Sequence, residues 1–293
     1  MIGDWVYVNG QLCAKEAASV SVFDHGFLYG DGVFEGIAVV NRAVFKLDEH
    51  LDRLRDSATY LAIALPRPDV LRDAALEIAR RNGLDEGYLR IVLTRGAGPV
   101  GIRNMDKLGS PTLVVIAQRE TRALRASVYE HGLSAIISAT RRLPPQCIDG
   151  KAKTSNYLNN ILAYLEARHA KADTAILLDL DGFVAESYAA NLFVVARGVV
   201  KTPALGAILN GITRQTVLGL CVEARIPHVE MALTPHDLHC ADEVFETGSL
   251  AEVKPITSIA GRPVGSGKPG PVTKRLHAAL RSLMESGSAS VTF

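Results

Sequence analysis

The chain has 293 residues, 48% of them hydrophobic and 22% charged, with a formal net charge of +1. That length suits two ordinary domains or one large one, and the near-neutral balance gives no electrostatic reason to capture nucleic acid or anionic lipid. No apolar run approaches the ~20 residues of a membrane span, and the opening Met-Ile-Gly-Asp-Trp lacks the parts of a signal peptide, so a cytoplasmic protein is expected.

The first elements read as hairpins. Residues 5–8, Trp-Val-Tyr-Val, meet Asn9-Gly10, a pair that tolerates positive φ. Further strands are expected at 20–22 and 33–40, and Asn41-Arg42 turns the chain into Val44-Phe45. Asp48 is placed to cap a helix that carries Leu51, Leu54, Ala58 and Leu61 on one face. A second helix over 69–81 stops at Asn82-Gly83. Residues 88–95 and 112–117 are strand-like. This half, 1–118, predicts a small α+β domain.

A polar stretch, 119–128, is expected to link it to a larger domain over 129–293. There, strands are expected at 133–139, 174–179, 192–196 and 244–247. Helices are expected from Ser155-Asn156-Tyr157 to about Ala170, over 212–224 and over 271–284. The final small polar residues read as a loose tail. Cys13, Cys147, Cys221 and Cys240 are too scattered for a metal or redox pair and read as small buried hydrophobes. The eight histidines show no His-x-x-x-His spacing, so no metal is expected.

Several segments carry chemistry. Lys151-Ala-Lys153-Thr-Ser-Asn156-Tyr157 puts a lysine at a loop end, before a helix that opens with hydrogen-bonding groups. A lysine so fixed can lose its proton, attack a carbonyl and shuttle a proton; two solvated lysines at a helix start is the alternative. Asn210-Gly211-Ile212-Thr213 offers free backbone N–H groups to a phosphate, or is an ordinary helix start. Arg53, beside core-facing Leu51 and Leu54, can grip an oxyanion or snorkel to solvent. Glu186, shortly before a buried strand, can keep a heteroaromatic nitrogen protonated or lie on the surface. In the strand 88–95, period two puts Tyr88, Arg90, Val92 and Thr94 on one face, where the tyrosine and arginine can orient a carboxylated substrate or sit at an edge. Thr247-Gly248-Ser249-Leu250-Ala251 is a turn suited to presenting backbone N–H groups.

In this order the segments resemble the fold-type IV pyridoxal 5′-phosphate enzymes, most closely the branched-chain amino acid aminotransferases, across residues 7–280. The resemblance implies a two-domain α+β (α/β) architecture. It implies that Lys153 carries the cofactor as a Schiff base, that Tyr157 bonds its phenolic oxygen and that Glu186 meets its ring nitrogen. Arg53, the N–H groups of Ile212 and Thr213, and Ser249 would hold its phosphate. Tyr29, Phe34, Tyr88, Arg90, Ser249 and Leu250 would line the substrate pocket, with Arg90 meeting a distal carboxylate and the turn at Ser249-Leu250 the α-carboxylate. Loop 96–109 would reach a neighbouring subunit, so a homodimer or larger homo-oligomer is expected. The implied reaction is ping-pong transfer of an amino group between a branched-chain L-amino acid and a 2-oxo acid, 2-oxoglutarate. Three departures from the family pattern bear on substrate: Ser249-Leu250 stands for the usual Thr-Ala, Tyr188 for a frequent glycine, and 99–107 is not the usual branched-chain loop. D-amino acid transamination and aminodeoxychorismate lysis are the alternatives on the same scaffold, and a phosphate-ligand binding protein is the non-enzymatic one.

Overall fold

The residues at the chain start pair as expected: β1 (Ile2–Val8) and β2 (Gln11–Ala14) close over Asn9-Gly10, whose φ angles are +49° and +90°. The computed structural model describes residues 2–120 and 126–293. They cluster into two compact units, Met1–Arg122 with Ala152–Asn156 and Met284–Phe293, and Ala123–Lys151 with Tyr157–Leu283. The contiguous division expected from sequence thus has two exceptions. Ala152–Asn156 and the C-terminal residues join the first unit because both pair with its strands. Of the expected linker, 121–125 lie outside the described residues, and 126–128 open a short helix instead.

The first unit continues with α1 (His25–Tyr29), β3 (Gly32–Val40), β4 (Ala43–Phe45), α2 (Leu47–Tyr60), α3 (Pro68–Arg81), β5 (Gly87–Thr94) and β6 (Thr112–Arg119). With the C-terminal strand Ser290–Thr292 these build an antiparallel seven-stranded sheet, ordered C-terminal strand, β4, β3, β5, β6, β1, β2. The small polar residues expected as a loose tail, 286–290, lead into this strand, in which Val291 stands opposite Val44. The strand expected at 20–22 does not form; Val20 and Val22 are exposed, since β-branched residues make a strand only where a partner edge exists. Lys46, not Asp48, is the N-cap of α2, and Asp48 lies in the first turn, where a negative charge suits the helix dipole. One face of the sheet buries Ile37, Val39, Leu89, Ile91 and Leu93 against Leu51 and Leu54 of α2 and Ala75 and Ile78 of α3.

The second unit contains α4 (Ala126–His131), β7 (Leu133–Ile137), α5 (Leu158–His169), β8 (Thr174–Leu178), β9 (Val184–Ser187), β10 (Asn191–Ala196), β11 (Val199–Thr202), α6 (Ile212–Glu223), β12 (His228–Glu230), α7 (Pro235–His239), β13 (Glu243–Gly248), β14 (Glu252–Ile259), β15 (Arg262–Pro263) and α8 (Pro271–Ser286). Its nine-stranded mixed sheet runs β12, β11, β10, β13, β14, β7, β8, β9, with β15 on β14. Sequence reading missed β14 because Pro255 argues against a central strand; pairing with β7 begins only at Ile256, so the proline removes no donor there. Across β10 and β13, period two puts Leu192, Val194 and Val244 on one apolar face. Asn191, Phe193, Phe245 and Thr247 take the other, and the two phenylalanines stack at 4.9 Å. The cysteines differ from expectation: Cys147 and Cys240 are exposed, Cys13 is half-buried, and Cys221 alone is buried, which pushes its thiol up to about 11.

Candidate active site

In the first unit the chemistry gathers where β3 loses its neighbour. β4 pairs with β3 only at Val39 and Val40, which leaves the start of β3 with a vacant edge. Residues 153–155 take that edge: Phe34 N donates to Lys153 O at 3.0 Å, Ser155 N donates to Gly32 O at 2.8 Å, and Thr154 bridges Val33. Lys153 N also donates to Ser57 Oγ of α2 at 2.9 Å. The lysine backbone is thereby fixed on both sides.

The Lys153 side chain runs to Phe34, its Nζ 4.6 Å from the ring centroid, and the Arg90 guanidinium lies 3.8 Å from the same ring. Both are within cation–π range of one aromatic ring. Arg90 reaches it because β5 buries Leu89, Ile91 and Leu93 and turns Tyr88, Arg90 and Val92 the other way, the alternation expected from sequence. Gly36 stands opposite Arg90; a Cβ there would come 2.1 Å from Tyr88 Oη, so the glycine makes room for the tyrosine. Tyr29 is exposed; its hydroxyl accepts from Gly101 N at 2.8 Å, and its ring meets His25 edge-on.

Arg53 does not snorkel. Its Nε and one Nη donate to the two oxygens of Glu35 at 2.7 and 2.8 Å, and His50 Nδ1 lies 2.7 Å from Glu35 Oε2. Glu35 is fully buried. Burial opposes its charge, but Arg53 and then His50 outweigh that and hold its pKa at about 2. Burial lowers the pKa of His50, so the imidazole stays neutral and donates its Nδ1 proton to the carboxylate. Sequence reading passed over Glu35 and His50. The available signal was a carboxylate at a core-facing position, between Val33 and Ile37 in a strand of period two.

In the second unit, Glu186 lies within β9 and is buried. Asn191 Nδ2 donates to its Oε2 at 3.4 Å and Leu209 N at 3.3 Å, while Arg142 Nε sits 2.8 Å from Oε1, off the N–H direction. No sequence signal distinguished Arg142 from Arg141 beside it. Tyr157 is the N-cap residue of α5 and is half-buried. Ile212 and Thr213 open α6 with no side chain capping the helix, and both are buried. A Cβ on the N-cap Gly211 would fall 2.1 Å from Asn191 Oδ1, which explains the glycine. Ser249 and Leu250 are half-buried in the turn that joins Gly248 to its partner Glu252. The Thr247 hydroxyl, on the same sheet face as Asn191, is buried without a hydrogen-bond partner among the described residues. Tyr188, the departure at a frequent glycine position, stacks on Tyr164 of α5 at 4.6 Å and packs beside Ala163 and Ala167. Among the described residues, no group of His, Cys, Asp or Glu is arranged to hold a metal.

The first unit thus holds a lysine fixed by its own backbone, and the second a buried carboxylate and an uncapped, buried helix start. Residues 32–259 match the amino-transferase class IV family, and the chain belongs to it. A protein of Methanocaldococcus jannaschii is 45% identical over 273 residues, covering 92% of this chain and 93% of its own. The branched-chain-amino-acid aminotransferase of Escherichia coli (strain K12) is 36% identical over 288 residues, covering 96% and 93%. Among solved structures, a T.th. branched-chain amino acid aminotransferase with pyridoxamine 5′-phosphate superposes with a TM-score of 0.95 at 34% identity, covering 99% of this chain and 98% of that one. The same T.th. enzyme has been solved with N-(5′-phosphopyridoxyl)-L-glutamate and with 4-methylvaleric acid, at TM-scores of 0.93 and 0.92.

Proposed function

We propose that this protein is a pyridoxal 5′-phosphate-dependent aminotransferase that exchanges the amino group of a branched-chain L-amino acid with 2-oxoglutarate by a ping-pong mechanism. The observation that carries the reading is the sharing of the Phe34 ring by the Lys153 amine and the Arg90 guanidinium. It puts a nucleophilic base, an apolar wall and a carboxylate receptor within one side-chain cluster. The residues fit the cofactor. Among the described residues Thr247 keeps a buried hydroxyl without a partner, and α6 opens with uncapped N–H groups, which suits a phosphate and costs free energy without one.

The bound cofactor supplies the electron sink for breaking the Cα–H bond. Lys153 would hold it through its amine and would serve as the base for the substrate Cα proton. Glu186, steadied by Asn191 and Leu209 N, would keep its ring nitrogen protonated. Tyr157 would hold its phenolic oxygen. Arg53, the N–H groups of Ile212 and Thr213, and Ser249 hold the phosphate, with Glu35 fixing the orientation of Arg53. Tyr29, Phe34, Tyr88 and Leu250 would line the place of the apolar side chain, Arg90 would accept the distal carboxylate of the glutamate half-reaction, and the turn at Ser249 and Leu250 the α-carboxylate. The two T.th. complexes, one with a glutamate adduct and one with a branched aliphatic acid, support one pocket serving both.

A homodimer is proposed as the working assembly. On α5, Leu158, Ile161, Leu162 and Leu165 form an exposed apolar stripe at helical spacing, which supports burial against another copy. A cytoplasmic location is proposed from the near-neutral charge balance of the sequence and from the described helices, none long and apolar enough to cross a membrane. The reading is tested with L-leucine, D-alanine and aminodeoxychorismate, each offered at equal concentration with 2-oxoglutarate where an acceptor is needed. L-Leucine should turn over fastest; faster use of D-alanine or of aminodeoxychorismate would overturn the substrate assignment.

A further inference from the structure

Behind the turn that joins β13 to β14 lies a set of side chains the reaction does not use directly. The last residue of the turn, Glu252, pairs with Gly248 and has φ +51°, a left-handed conformation usually left to glycine at this place in a hairpin. Its side chain is buried, and two residues one helical turn apart on α8 grip the carboxylate: His277 Nε2 lies 3.0 Å from Oε2, and Arg281 Nη1 donates to Oε1 at 3.1 Å. The Tyr129 ring, from α4, stacks on the imidazole at 4.1 Å with an interplanar angle of 12°. Its hydroxyl then donates to the carbonyl of Ala251 at 3.1 Å. Ala251 is thus tied through its backbone and Glu252 through its side chain, each to a different helix.

We propose that Tyr129, His277 and Arg281 are positioning residues that lock the turn 249–251 for the amino-acid carboxylate, with Glu252 as the handle they hold. This rests on the transaminase reading above. A non-glycine residue with positive φ drifts to other conformations when nothing holds it, and the backbone N–H groups of the turn drift with it. The partners remove that freedom before substrate arrives, so their loss weakens carboxylate binding rather than the chemical step.

The test uses the full chain saturated with pyridoxal 5′-phosphate, as wild type, Glu252→Gln and Tyr129→Phe; the last removes a single oxygen and guards against a misfolded first variant. Amide exchange at 249–251 should quicken by at least about fivefold in both variants. The KM for L-leucine should rise by a similar factor while kcat stays within about twofold and the cofactor absorbance is unchanged. Unchanged exchange, or a lowered thermal midpoint with wild-type KM, would overturn the proposal. If exchange responds but the wild type aminates no oxo acid, the transaminase reading fails while the clamp on the turn stands.

Discussion

Replacing Glu35 with glutamine probes the support of Arg53, the residue proposed to hold the cofactor phosphate. Glu35 is buried and accepts two hydrogen bonds from Arg53 and one from His50. Its pKa of about 2, against an ordinary value of 4.5, corresponds to roughly 3 kcal/mol at ~1.4 kcal/mol per tenfold change in protonation. Breaking a buried pair from one side costs about 3–5 kcal/mol, so the two estimates agree on a large loss. The sign follows from the lowered pKa: the contribution is complete above about pH 4.5 and is lost as the pH falls toward about 2. Urea unfolding of both proteins between pH 8 and pH 5 should therefore show a constant gap of roughly 3 kcal/mol, and the variant should release cofactor more readily on dialysis because Arg53 has lost its guide. A gap under about 0.5 kcal/mol with wild-type cofactor retention would refute the role given to this pair.

Three further outcomes follow from single side chains. Thr247→Val removes a buried hydroxyl that has no partner among the described residues, so the cofactor-free protein should gain up to about 1 kcal/mol while cofactor affinity falls several-fold; thermal melts and absorbance titration read the two effects separately. Arg90→Met should raise the KM for 2-oxoglutarate about 10- to 100-fold, the loss expected for a charge-assisted bond, and change the KM for L-leucine by less than about threefold. Gly211→Ala forces a methyl group toward Asn191 Oδ1, and a thermal melt should show a loss of about 1–3 kcal/mol together with weaker cofactor binding.

Much of this was legible in the residues. The alternation in 88–94 set Arg90 and Tyr88 on the face opposite Leu89, Ile91 and Leu93, and the structure has them so. The helices at Ile212 and Pro271 start where the sequence puts them, while the one expected to open on Ser155-Asn156-Tyr157 begins at Leu158. What local pattern could not carry was the partner at long range. Residues 152–156 join the first unit because β4 leaves an edge of β3 open, which no window around Lys153 reveals. The strand at Ser290–Thr292 exists because β4 needs a neighbour, although the residues leading into it read as tail. Arg142 and Tyr129 meet Glu186 and Ala251 only through tertiary packing, and neither carries a motif of its own.

The central claim is that one lysine, fixed by Ser57 and Phe34, bonds covalently to the cofactor. Borohydride reduction of the cofactor-loaded protein, followed by peptide mass spectrometry, tests it most directly. The pyridoxyl mass should appear on Lys153 and disappear in Lys153→Ala together with the visible absorbance. A label on Lys151, or a coloured protein with no labelled lysine, would contradict it.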